Sequence, residues 1–81
     1  MGPESTETRE LTFGEKAVGF TFNPSGDPQV HEIKKEFAAV IDRLDTLRRS
    51  ASADAARMLS VAITEAQAAQ MWAVKAVTWK D

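Results

Sequence analysis

Residues 27–54 read DPQVHEIKKEFAAVIDRLDTLRRSASAD, and this stretch decides the fold. Asp27 followed by Pro28 is a helix start. The Asp side chain can accept from an orphan backbone N–H, and Pro28 fits the first helical position, where a missing N–H is no loss. From there Val30, Ile33, Phe37, Val40, Ile41, Leu44 and Leu47 recur in steps of three and four. That spacing predicts one amphipathic helix of about six turns. Lys34, Lys35, Glu36, Asp42, Arg43 and Asp45 fall between the apolar positions and are assigned to the outer faces. Arg48 and Arg49 suit the negative end of the helix dipole. The run Ser50-Ala51-Ser52-Ala53-Asp54 then breaks the pattern. Ser50 or Ser52 can cap a second helix, with Asp54 in its first turn. So short a connection predicts that the two helices return antiparallel, as a hairpin.

The second helix is predicted from about Ala53 to Val77. Nine alanines lie in it, and alanine has the highest helix propensity. Its larger apolar residues, Met58, Leu59, Val61, Ile63, Met71, Trp72, Val74, Val77 and Trp79, spread over more than one face. An isolated two-helix hairpin buries only one stripe, so the rest points to packing between chains. Trp72 and Trp79, seven apart, share a side of the helix and are read as core or oligomer interface.

With 81 residues the chain makes one small domain, whose single core is marginal without a staple. There is no cysteine, so disulfides and thiolate metal sites are excluded. The one histidine, His31, cannot build a metal cluster alone. No metal or cofactor is expected, and oligomerisation remains as the source of extra burial. Ten basic residues against twelve acidic ones give no basic patch for a nucleic acid polymer. Residues 1–27 carry a net −3 and residues 28–81 a net +1, which puts most cations on the helical part. No apolar run approaches the roughly 20 residues that span a bilayer. The opening MGPESTETRE is polar and acidic, unlike a signal peptide. These features predict a soluble, cytoplasmic protein with no membrane partner.

Residues 1–17 are expected to be a polar lead, partly disordered or a short helix, ahead of a domain over 18–81. Between them and the hairpin lies FTFNPSGDP, residues 20–28. Val18, Phe20 and Phe22 alternate, but a lone strand has nothing to pair with. An extended segment on the helical body is the expectation. Phe20 and Phe22 then either clamp onto the hairpin or form the wall of a ligand pocket. In the second case Phe22 stacks on a flat base, Lys34 neutralises a phosphate and Asn23 bonds a base edge or ribose. Catalysis has little support. Glu32 and Glu36 share a face at i,i+4 but sit beside Lys34 and Lys35, as a solvated charged face does. No nucleophile elbow and no phosphate-binding glycine loop occurs. The chain is therefore not expected to be an enzyme, and no catalytic residue is assigned.

FTFNPSGDPQVHEIKKEFAAVID, then LSVAITEAQAAQMWAVKAVTW, resembles the helical-hairpin domain of the phage anti-CBASS and anti-Thoeris sponge proteins. The resemblance rests on Phe22-Asn23-Pro24, on Ile33-Lys34, and on Glu65-Ala66 with Met71-Trp72-Ala73, in that order, and covers residues 18–79. It implies an all-α hairpin with an N-terminal extended or short helical segment, assembled as a homo-oligomer, commonly a hexamer. It implies a protein of the host bacterial cytoplasm that binds cyclic di- or trinucleotide second messengers and sequesters them without cleavage. Phe22 would stack on a base, Lys34 would contact a phosphate with Lys35 as the alternative, and Asn23 would belong to the same wall. Phe20 and Pro24 complete the candidate ligand set. Some members carry Tyr where Phe22 stands, so a hydroxyl contact is missing here while stacking survives. The alternative is a helical homo-oligomeric module with no small-molecule ligand.

Overall fold

The computed structural model describes residues 9–81. Their secondary structure is helical throughout: α1 (Phe13–Ala17), α2 (Pro28–Arg49) and α3 (Ala53–Val77). The boundaries of α2 and α3 follow their caps. Asp27 accepts from Gln29 N at 2.8 Å, and Ser52, rather than Ser50, accepts from Ala55 N at 3.2 Å. The hairpin is antiparallel. Pro28, which opens α2, shares a groove with Val77, which closes α3. At the other end, Arg48 donates to Ser60 Oγ at 3.0 Å.

Residues 13–17 form a short helix, because both ends are capped. Thr12 Oγ1 accepts from Glu15 N at 3.1 Å, and Glu15 Oε1 accepts from Thr12 N at 2.9 Å. This is a reciprocal capping box. Arg9 reinforces it with two bonds to the Glu15 carboxylate, at 2.8 and 3.2 Å. At the other end Gly19, with φ +63°, lets Phe20 N reach Glu15 O at 2.9 Å and Gly19 N reach Lys16 O at 3.2 Å. Only glycine adopts that left-handed step without steric cost, and the pair of bonds is a Schellman closure.

Helix α1 lies against α2 through Gly14. Its N–H donates to Asp42 Oδ1 at 2.7 Å. A Cβ at this position would sit 2.1 Å from the Ala38 carbonyl oxygen, so only glycine permits the approach. The contact seats Val18, Ala17 and Phe20 over Ala38, Ile41 and Ile63, with Phe37, Leu44 and Ala66 at the margin. This is a small core, and Ile41 is its only fully buried large side chain among the described residues.

The buried stripe of α2 is Val30, Lys34, Ala38, Ile41 and Asp45. It is rotated away from the centre of the apolar pattern. Lys34 and Asp45, assigned to the outer face by that pattern, are buried, whereas Val40 and Leu47 are about half exposed. The cause is α1, which presses on the Ala38 side and turns the larger apolar residues outward. Asp45 remains charged there because Arg48 and Arg49 each bond one of its oxygens, at 2.7 and 2.6 Å. Those bonds, Arg48 first, hold its carboxyl below the ordinary carboxylate range.

Candidate ligand pocket

Two glycine turns build the site. After the Schellman closure, Phe22 N bonds Gly19 O at 2.9 Å. Asn23-Pro24-Ser25-Gly26 then forms a β-turn, with Gly26 N on Asn23 O at 3.0 Å. The Asn23 side chain braces this turn. Its Nδ2 donates to Asp27 O at 2.9 Å, and its Oδ1 accepts from Asp27 N at 3.3 Å. Asn23 therefore spends its amide on the chain, and Pro24 is exposed at the turn.

Lys34 reaches across from α2 into the first turn. Its side chain is only 5% exposed. Nζ donates to Gly19 O at 2.9 Å and to Phe22 O. The Phe22 ring lies over the ammonium at 5.4 Å, as a cation–π pair. No carboxylate pairs with Lys34 among the described residues. An ammonium has three protons, and two are used here, so one donor and a whole charge remain. Desolvation pushes its pKa below the ordinary lysine value.

Beside this ammonium opens a concavity of about 570 Å³. Phe22, which is 71% exposed, stands along it. The α1 end contributes Lys16, Ala17, Val18 and Gly19, and α3 contributes Gln67, Gln70, Met71 and Val74. Gln67 Nε2 is fixed by Ala17 O at 3.3 Å. The site thus combines an aromatic face, an unpaired cation, apolar contact and two carboxamides.

The other expected residues lie elsewhere. Phe20 is half-buried in the core margin and packs against His31 with the rings tilted by 47°, centroids 5.1 Å apart. Lys35 is exposed on α2 and lies outside the lining. The structure brings together Phe22 and Lys34. It adds Gly19, Lys16, Gln67 and Gln70, which sequence reasoning missed. The signal for the glutamines was present: Gln70 follows Ile63 by seven, on the buried stripe of α3. Among the described residues no cluster of His, Asp or Glu could hold a metal ion.

The model of the Acb2/Tad1 hairpin domain matches residues 15–78. The chain belongs to the Acb2/Tad1 family. This is the family of the anti-CBASS and anti-Thoeris sponge proteins, as the resemblance implied. No curated protein and no solved structure gave a significant match. The matched Acb2/Tad1 hairpin includes every residue of the concavity. Outside it, an apolar face of α3 and the residues just after it is open: Met58, Val61, Trp72 and Trp79 are each at least half exposed. Lys75 packs its ammonium against both tryptophans, at 5.4 and 5.9 Å. No described helix is long and apolar enough to cross a membrane.

Proposed function

We propose that this Acb2/Tad1 hairpin is a phage anti-defence sponge: it binds cyclic oligonucleotide immune messengers and holds them uncleaved in the host cytoplasm. The observation that carries the reading is Lys34, a desolvated ammonium without a carboxylate partner among the described residues, under an exposed aromatic ring. A phosphate supplies the missing anion, and a base supplies the missing partner for the Phe22 face. Phosphate–ammonium bonds strengthen as water is excluded. Phe22 stacks, Lys34 binds phosphate, and Asn23 and Pro24 act by setting the turn that holds Phe22. Lys35 and Phe20 serve at the edges, Lys35 as a second cation and Phe20 as the seat of the wall.

The protein acts as a homo-oligomer, with the hexamer as the reading the family favours. The support is energetic. The single-chain core is small, while Trp72, Trp79, Met58 and Val61 stay in water. Burying each such side chain is worth about 1.5–3 kcal/mol.

Thermal shift against cyclic di- and trinucleotides and cyclic ADP-ribose isomers tests the function, with bound ligand released by heating and identified by chromatography. A large shift with intact ligand returned supports a sponge. Linear products indicate an enzyme. No shift across the panel leaves the ligand-free helical assembly.

A further inference from the structure

Two lysines, Lys16 and Lys34, line the concavity, and no Asp or Glu does. The chain as a whole has more acids than bases, twelve against ten, so this sorting of charge is not inherited from composition. Lys34 has its task; Lys16 has none yet. Its side chain is exposed and enters no ion pair among the described residues. The carboxylate next to it in sequence, Glu15, is already spent, since Arg9 holds both of its oxygens and Thr12 N donates to one of them. The backbone beneath Lys16 is pinned on both sides, by Gly14 N on Asp42 and by Gln67 on Ala17 O. Gly19 ties the two cations to one residue. Its N–H donates to Lys16 O at 3.2 Å, and its carbonyl accepts from Lys34 Nζ at 2.9 Å. A cation in the last turn of α1 also suits the helix dipole. That role needs neither a concavity nor the exclusion of acids from it.

We propose that Lys16 is the second phosphate-binding residue of the pocket, so that Lys16 and Lys34 together select a ligand with two separate anionic groups. The inference rests on the cyclic-nucleotide reading above and adds to it the charge the ligand must carry. A cyclic dinucleotide has two phosphodiesters, each with one negative charge. Lys34 has one charge and, after its two carbonyl bonds, one donor, which serves one phosphate. The other phosphate would face an apolar lining of Ala17, Val18, Met71 and Val74 without a counter-charge. An anion held against apolar surface without a partner is costly. Phe22 and the two glutamines carry no charge, and Lys35 lies outside the lining. Lys16 is thus the cation of the lining left to meet it. The two lysines divide the work. Lys34 is buried and fixed by two carbonyls, so it sets where the first phosphate sits. Lys16 carries a point charge with three donors on a flexible stem, so from its pinned backbone it can follow the second.

Isothermal titration of the full chain with cyclic di-AMP and cyclic di-GMP, and with analogues of each in which one phosphate is a neutral methylphosphonate, tests the inference. Lys16→Met should weaken binding of the unmodified ligands by about tenfold, as loss of a charge-assisted bond does. It should weaken binding of the singly charged analogues by no more than about twofold, because their one phosphate can sit on Lys34. Lys34→Met should weaken both kinds of ligand. Lys16→Arg keeps the charge and should recover most of the affinity for the unmodified ligands. Removing a cation that serves only the end of α1 would weaken both kinds of ligand alike, or neither. Unchanged affinity of Lys16→Met for the unmodified ligands, or equal losses for both kinds, overturns the inference and leaves the sponge standing. Binding of neither cyclic dinucleotide by the unaltered protein overturns it together with that reading for cyclic dinucleotides.

Discussion

Replacing Gly14 by alanine should loosen the ligand wall from a distance. The added Cβ would meet the Ala38 carbonyl oxygen at 2.1 Å, its carbon at 2.9 Å and Asp42 Oδ1 at 2.9 Å. A relaxed carbon–oxygen contact needs roughly 1 Å more than the first of these, since close packing tolerates little overlap. Two of the three atoms are backbone of α2 and cannot turn aside, so α1 must lift. Lifting breaks the Gly14 N–Asp42 bond of 2.7 Å. A hydrogen bond to a charged group is worth about 1.5–3 kcal/mol. The overpacking adds about 1–3 kcal/mol. Alanine's better helix propensity returns about 1 kcal/mol. The net loss is about 1.5–5 kcal/mol, which for a domain of this size lowers Tm by about 6–40 °C. Circular dichroism at 222 nm through a thermal ramp reads it. Asp42→Ala alone should show only the bond's share. Because Gly14→Ala already breaks that bond, the double variant should fall short of the sum. A Tm within about 2 °C of the parent, or strict additivity, would refute the close approach of α1 to α2 and the reasoning with it.

Phe22→Ala should leave Tm nearly unchanged, since the ring is 71% exposed, while messenger affinity falls by tenfold or more; a loss of stability typical of a core truncation would return Phe22 to the core. Asp45 has a depressed carboxyl, so its contribution is present above the ordinary carboxylate range near pH 4 and is lost as pH falls through the lower folded value. Asp45→Asn should therefore flatten the acid limb of a stability–pH profile measured by urea denaturation, and an unchanged limb would count against the Arg48–Asp45–Arg49 cluster. Lys34 has a lowered pKa, so messenger binding should weaken with rising pH before the ordinary lysine value near 10.4 is reached; titrations between pH 7 and pH 10, with Lys34→Met as the flat control, measure it. Trp72→Glu should shift the protein to smaller species in sedimentation velocity, and an unaltered distribution would remove α3's open face from the assembly.

Much of the hairpin was legible because helix ends are local chemistry. Asp27-Pro28 and Ser52 mark the starts of α2 and α3, and the apolar spacing carries each helix to its end. Helix α1 also had a local mark, the Thr12-x-x-Glu15 capping box, which the glycine-rich context obscured. The site was legible only in part. Phe22 and Lys34 follow from aromatic and cationic residues near a helix start. That Lys34 is buried does not, because its partners are carbonyls of a turn folded back from another segment. The rotation of the α2 core stripe has the same origin, since it depends on where α1 settles. Gln67 and Gln70 come from a turn of α3 that approaches the site only once the hairpin closes. Local patterns encode elements, while pockets are made by the meeting of distant ones.

The Lys34 ammonium gives the empty protein an unresolved conflict. Its two bonds to Gly19 and Phe22 draw the turn closed, while its burial leaves a charge that no carboxylate among the described residues pairs with. Such local frustration is tolerated in natural folds where function requires it. In the proposed complex an arriving anion would relieve the conflict without breaking either bond, so occupancy would tighten the turn as well as fill the space. Amide exchange at Gly19 and Phe22 should slow in the proposed complex, and the protein's own relaxation would then contribute to the lifetime of that complex.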